Sequence, residues 1–83
     1  NVYPNPFNPV LNISFESKDL IKDAEMKIFK IKGQLIKSQT LNSEQMRNRK
    51  FVWDAMPYAS GIYFVQLIIN NQEKLTKKTL LLK

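Results

Sequence analysis

The residues from Gly61 to Ile69 form the longest apolar run of the chain, Gly-Ile-Tyr-Phe-Val-Gln-Leu-Ile-Ile. Most of them are β-branched or aromatic, side chains that favour the pleated surface of a strand. Asn70-Asn71 follows, and Asn tolerates the left-handed backbone that a two-residue hairpin loop requires. Residues 73–83 then return as a second strand ending in Leu80-Leu81-Leu82-Lys83. A strand this apolar is expected to be covered on both faces, with the rest of the chain supplying two layers of sheet around it.

The other segments read as shorter strands. Leu11, Ile13 and Phe15 alternate with Asn12, Ser14 and Glu16, the pattern of a half-buried strand. Ala24, Met26 and Ile28 share one face of the next strand, and Phe29 and Ile31 break that parity. Two explanations are open: a bulge shifts the register, or both faces are covered. Lys32-Gly33 is a turn, with Gly33 at positive φ. Residues 34–41 continue as a weaker strand anchored by Leu35, Ile36 and Leu41. Residues 42–50 are polar and have room for one helical turn, but read as loop. Phe51 and Trp53 share a face of a short strand, and Pro57 lies in the link to Gly61. No segment of helical length carries a 3.6-residue apolar period. The chain is therefore expected to be all-β, an antiparallel sandwich of six to seven short strands.

The opening differs. Residues 1–9 read Asn-Val-Tyr-Pro-Asn-Pro-Phe-Asn-Pro. Pro4, Pro6 and Pro9 fix φ, remove three donors and hold their predecessors extended. A stiff lead-in over residues 1–9 and a sandwich over residues 10–83 is the expected division. Val2, Tyr3 and Phe7 are the side chains with which the lead-in could grip the core.

Composition narrows the chemistry. The chain has 83 residues, enough for one domain, with neither Cys nor His. Disulfides, thiolate metal sites and His-based triads are excluded within it. Asp19, Asp23, Glu44 and Asp54 are scattered and form no acid–base pair. No catalysis and no cofactor are expected. Thirteen basic against seven acidic residues give a net charge of +6. That charge suits either an anionic partner or a lysine-rich surface that discourages pairing of sheet edges. The aromatic residues fall at inward strand positions rather than among the basic ones, which argues against nucleic acid. The first residue is Asn and no signal-peptide pattern follows. The chain reads as a piece of a longer protein, with any export signal upstream.

Four pieces in order carry a resemblance. Tyr3-Pro4-Asn5-Pro6 resembles the opening of the type A C-terminal sorting domains of the type IX secretion system. Residues 26–36, with Phe29, Gly33, Leu35 and Ile36, are similar to that family's strand–turn–strand. Gly61-Ile62-Tyr63 matches its Gly-x-Tyr strand, and Lys77-Lys78 through Lys83 resembles its lysine-plus-apolar ending. Lys30 stands where the family usually carries Asp or Asn, so the turn at Gly33 lacks that polar residue. The immunoglobulin-like domain of the flagellar hook-capping protein shares the middle of the pattern, including Trp53-Asp54, but has a longer segment between Trp53 and Gly61.

The resemblance implies an immunoglobulin-like sandwich that directs an N-terminally linked cargo domain through the periplasm and outer membrane of a Bacteroidetes-type envelope. The cargo would be secreted or held at the cell surface. The implied partners are the outer-membrane translocon and shuttle proteins of the type IX system, and a sortase-like peptidase that removes the domain. The implied recognition residues are Pro4, Asn5, Pro6, Gly33, Gly61, Tyr63, Lys77, Lys78 and Lys83. Plainer readings stand beside them: a rigid spacer for the prolines, turns and close approaches for the glycines, a core ring for Tyr63, and edge protection for the lysines. Arg47, Arg49 and Lys50 read as a solvated basic loop. Two further readings of the whole are an immunoglobulin-like stalk and a carbohydrate-binding module, the latter with Phe51, Trp53 and Tyr58 as a stacking platform.

Overall fold

A computed structural model describes residues 2–3, 9–18 and 20–82. The strands are β1 (Val2–Tyr3), β2 (Val10–Ser14), β3 (Ala24–Lys30), β4 (Leu35–Thr40), β5 (Lys50–Asp54), β6 (Gly61–Ile69) and β7 (Gln72–Leu81). One helix, α1 (Ser43–Asn48), sits between β4 and β5. The strands form two antiparallel sheets, one ordered β1-β2-β5 and the other β4-β3-β6-β7. This division into three and four strands is that of an immunoglobulin-like sandwich whose fourth strand joins the sheet of the last two.

The core lies between the sheets. Leu11, Ile13, Phe51 and Trp53 come from the three-stranded sheet. Met26, Ile28, Tyr63, Val65, Leu67, Ile69 and Leu81 come from the other, and all of these side chains are buried. Rings meet at tilted or edge-on angles: Trp53 lies 5.5 Å from Tyr63 and 5.7 Å from Tyr58, and Phe15 lies 6.4 Å from Phe51. Such geometries suit the ring quadrupole better than a face-to-face stack.

β6 is covered on one face only, contrary to the expectation of cover on both. Tyr63, Val65, Leu67 and Ile69 are buried, whereas Ile62, Phe64, Gln66 and Ile68 are half-buried on a face that, among the described residues, no second sheet closes. The parity break at Phe29 is not a bulge of β3, which keeps its register against β6 from Ala24 to Lys30 and sets Phe29 half-buried on the outer face; the bulge lies in β4. Ile28 opposes Lys37 while Phe29 opposes Leu35, so Ile36 is the extra residue of β4 and packs against the core. Leu35 is consequently turned outward and 47% exposed, not an anchor as its sequence position suggested.

Within residues 42–50, where a loop was expected, Ser43–Asn48 is helical. Asn42 caps α1: its side chain accepts from the Gln45 N–H at 2.8 Å, and the Gln45 side chain accepts from the Asn42 N–H at 2.8 Å. This reciprocal pair satisfies two backbone donors that a helix start leaves open. Arg49 ends the helix in the left-handed conformation, at φ 55°, and its guanidinium donates to the Met46 and Ser17 carbonyls at 3.4 Å. Arg49 therefore ties the helix to the loop after β2 instead of joining a solvated basic cluster.

Asn70 and Asn71 both have positive φ, as a two-residue hairpin turn requires. Asn70 also holds the loop before β3. Its side-chain carbonyl accepts from the Lys22 and Asp23 N–H groups at 2.8 and 3.2 Å, and its amide donates to the Leu20 carbonyl at 3.0 Å.

Candidate recognition surface

Strand register arranges the outer face of the four-stranded sheet in rows, spaced about 7 Å apart because side chains on one face recur every second residue. The first row is Thr40, Glu25, Ile68 and Glu73, and the second is Ser38, Lys27, Gln66 and Thr76. The third is Leu35, Phe29, Phe64 and Lys78, and the fourth is Ile62 with Leu80. The face thus divides into a polar half and an apolar half.

The polar half is internally bonded. Ser38 donates to Glu25 at 2.9 Å, and Lys27 lies 3.8 Å from the same carboxylate. Gln66 and Thr76 donate to the two oxygens of Glu73 at 2.9 and 2.8 Å. In the other half Leu35, Phe29, Phe64 and Ile62 are hydrocarbon side chains, and beyond its last row Ile31 is 60% exposed. There an open groove of about 420 Å³ runs past Lys30, Ile31, Tyr58, Ser60 and Ile62.

The residues singled out in the sequence fall in separate places. Gly33 closes the β3–β4 turn at φ +91°, with its N–H on the Lys30 carbonyl at 2.8 Å and the Lys30 N–H on the Gln34 carbonyl at 2.9 Å. Backbone groups alone close this turn, so the missing Asp or Asn at Lys30 is not needed to do so. Gly61 opens β6 at φ +155°, and nothing lies within 4 Å of where a Cβ would be. Its glycine is required by conformation and not by close approach. The Tyr63 ring is buried and its hydroxyl donates to the Ala59 carbonyl at 2.6 Å, fastening the corner between β5 and β6. A tyrosine at the start of this strand is a recurrent corner fastening in immunoglobulin-like folds.

Lys77 and Lys78 are both exposed but point to opposite faces: Lys78 opposes Phe64 on the outer face, and Lys77 opposes Val65 on the core side. Lys37 sits likewise on the core side of β4, opposite Ile28. Each outer strand of this sheet therefore carries one inward-facing lysine, an arrangement that discourages sheet-to-sheet pairing. Pro4, Asn5, Pro6, Phe7 and Lys83 lie outside the described residues.

The stacking platform does not form. Trp53 and Phe51 are 1% and 5% exposed, so neither ring presents a face to a sugar. Asp54 accepts from the Met56 N–H at 3.0 Å in a turn, and Glu44 lies in the first turn of α1. Among the described residues no group of three or more acidic, His or Cys side chains is placed to hold a metal ion.

Sequence reasoning missed the apolar half of the outer face. Its signals were present: the parity break at Phe29 and Ile31, and a β6 run apolar at both parities. The β6 run was read as cover on both faces, and the parity break was left open between a bulge and such cover, because sequence does not tell a covered second face from an open one.

No curated protein matches the chain. Residues 1–82 match the family described as the secretion system C-terminal sorting domain, a family that is not catalytic. The match runs from the proline-rich opening to the last described residue of β7 and beyond it. The chain therefore belongs to the C-terminal sorting domains of the type IX secretion system, which send the protein they are attached to across the outer membrane to the surface or the medium.

Proposed function

We propose that the domain works as a folded, non-catalytic tag, read by the outer-membrane translocon and shuttle proteins of the type IX system while covalently joined to its cargo. A sortase-like peptidase then separates tag from cargo, near the segment that holds Pro4, Asn5 and Pro6. The lysines of β7, Lys77 and Lys78, with Lys83 beyond it, are the charges offered to the receptor. Nucleic acid plays no part. The observation that carries this reading is the family match over residues 1–82. It is supported by a β7 whose alternate residues Thr79 and Leu81 are buried while Lys77 and Lys78 stay exposed. The strand is anchored and its charges are offered at the same time.

The test is export of a fluorescent protein carrying a signal peptide in front and residues 1–83 behind. The host has type IX machinery, with a translocon-deleted strain beside it. Fluorescence outside the first strain and trapped in the periplasm of the second is the expected result. Periplasmic retention in both, in the native organism, overturns the reading. Truncation before Leu81 is a poor probe, since that side chain is wholly buried and its loss unfolds the tag. Lys77→Gln with Lys78→Gln removes the two charges at exposed positions and keeps side chains of similar length.

A further inference from the structure

Among the described residues, β1, β4, β5 and β7 each have a strand on one side only, so each is an open sheet edge. Three of these edges carry devices against pairing with another chain. β1 is two residues long, and Pro4 follows it in the sequence. β4 is bulged at Ile36 and turns Lys37 to the core side. β7 shifts its register against β6 between Leu67 and Ile68, and turns Lys77 to the core side. β5 has neither device. Its register with β2 is unbroken from Lys50 to Asp54, and its core-side residues, Phe51 and Trp53, are aromatic and buried.

The free edge of β5 presents a defined set of backbone groups. The Ala55 N–H donates to the Pro9 carbonyl at 2.9 Å, and the Phe15 N–H to the Arg49 carbonyl at 3.0 Å. Ladder bonds toward one neighbour recur at every second residue of a strand. Phe51 and Trp53 thus direct their backbone groups to β2, and Lys50, Val52 and Asp54 direct theirs away from it. The same three side chains are exposed on the outer face, Val52 at 53%. Lys50 and Asp54 take no part in an ion pair among the described residues. One Asp54 oxygen accepts from the Met56 N–H, and a carboxylate has a second oxygen with which to accept.

We infer that β5 pairs with β5 of a second copy of this chain, antiparallel about a two-fold axis at Val52, so that the two three-stranded sheets join into one. Lys50-Phe51-Val52-Trp53-Asp54 is its own complement in that register. Lys50 falls opposite the partner's Asp54, Val52 opposite the partner's Val52, and Asp54 opposite the partner's Lys50. Each opposed pair exchanges both backbone bonds, and opposite charges meet across the strands. A two-fold interface requires such self-complementarity. A register shifted by two residues sets Val52 against a charge instead, and a foreign strand meets Lys50 and Asp54 without the match. The inference does not rest on the sorting role.

Sedimentation equilibrium of residues 1–83 is followed from about 1 μM to about 1 mM, the range of moderate to weak affinity. The mass is expected to rise to twice that of the chain. Lys50→Asp and Asp54→Lys each set like charges opposite one another and are expected to weaken association at least about tenfold. Mixing the two singly substituted chains restores a dimer, because one is then acidic and the other basic at both facing positions. Lys50→Asp with Asp54→Lys in one chain restores it alone. Val52→Lys, at an exposed position, sets lysine against lysine on the axis and gives the loss even where Asp54→Lys, which removes the acceptor of the Met56 N–H, fails to fold. In amide exchange the Lys50, Val52 and Asp54 N–H groups slow as concentration rises, while those of Phe51 and Trp53 do not change.

A chain that stays monomeric at about 1 mM overturns the inference. So does a dimer indifferent to both Lys50→Asp and Val52→Lys. If Ile31→Glu with Leu35→Glu breaks that dimer instead, the open face of the other sheet is the contact.

Discussion

The two faces of β6 carry the same kinds of residue to opposite ends. Inward, Tyr63, Val65, Leu67 and Ile69 meet the second sheet and are buried. Outward, Ile62, Phe64 and Ile68 are nearly as apolar but only half-buried, and the single polar residue, Gln66, is bonded to Glu73. A strand that needed only to fold would follow the ordinary alternation and place polar residues outward. The outward apolar residues therefore add less to the fold for their size, and the contrast sets a closed face of β6 against an open one.

Leu67→Ala should have the largest effect on that contrast, a loss of about 2–5 kcal/mol in urea unfolding, because it leaves a cavity in the core. Tyr63→Phe comes next, at about 1–3 kcal/mol, since it leaves the Ala59 carbonyl without the donor now 2.6 Å away. Phe64→Ala on the outer face should cost about 1 kcal/mol, in proportion to partial burial. A loss as large as that of Leu67→Ala would erase the distinction between the faces. Gln66→Ala should shift stability by less than about 0.5 kcal/mol, the usual range for a surface substitution. In a domain of this size the loss expected for Phe64→Ala corresponds to about 4–8 °C in melting temperature.

Much of the sandwich was legible in the sequence, for a physical reason. Leu11, Ile13, Phe51 and Trp53 obey a two-residue period, and that period survives only when one face is buried. α1 was not legible from periodicity, since none of its residues is buried. Its signal was the Asn42–Gln45 cap, which is a matter of termini. The role of Asn70 was half legible. Its tolerance of positive φ is a property of the residue, whereas its three hydrogen bonds to residues 20–23 depend on a loop distant in the chain. Leu35 was misread because the bulge at Ile36 reverses parity, and a bulge leaves no compositional trace. The open apolar half-face was the least legible, because openness is a property of what is absent above a face.

The pairing of Phe29 with Phe64 has a consequence in time. β3–β4 and β6–β7 are hairpins, local structures that close in microseconds. The seam between them joins β3 to β6 across the intervening helix and β5, a non-local pairing that must first meet its loop-closure cost and is therefore slow. The apolar rows straddle that seam, with Leu35 and Phe29 on one hairpin and Phe64, Ile62 and Leu80 on the other. Neither hairpin alone presents the patch. It comes into being only with that long-range closure, so a molecule that displays it has joined the two hairpins of its larger sheet.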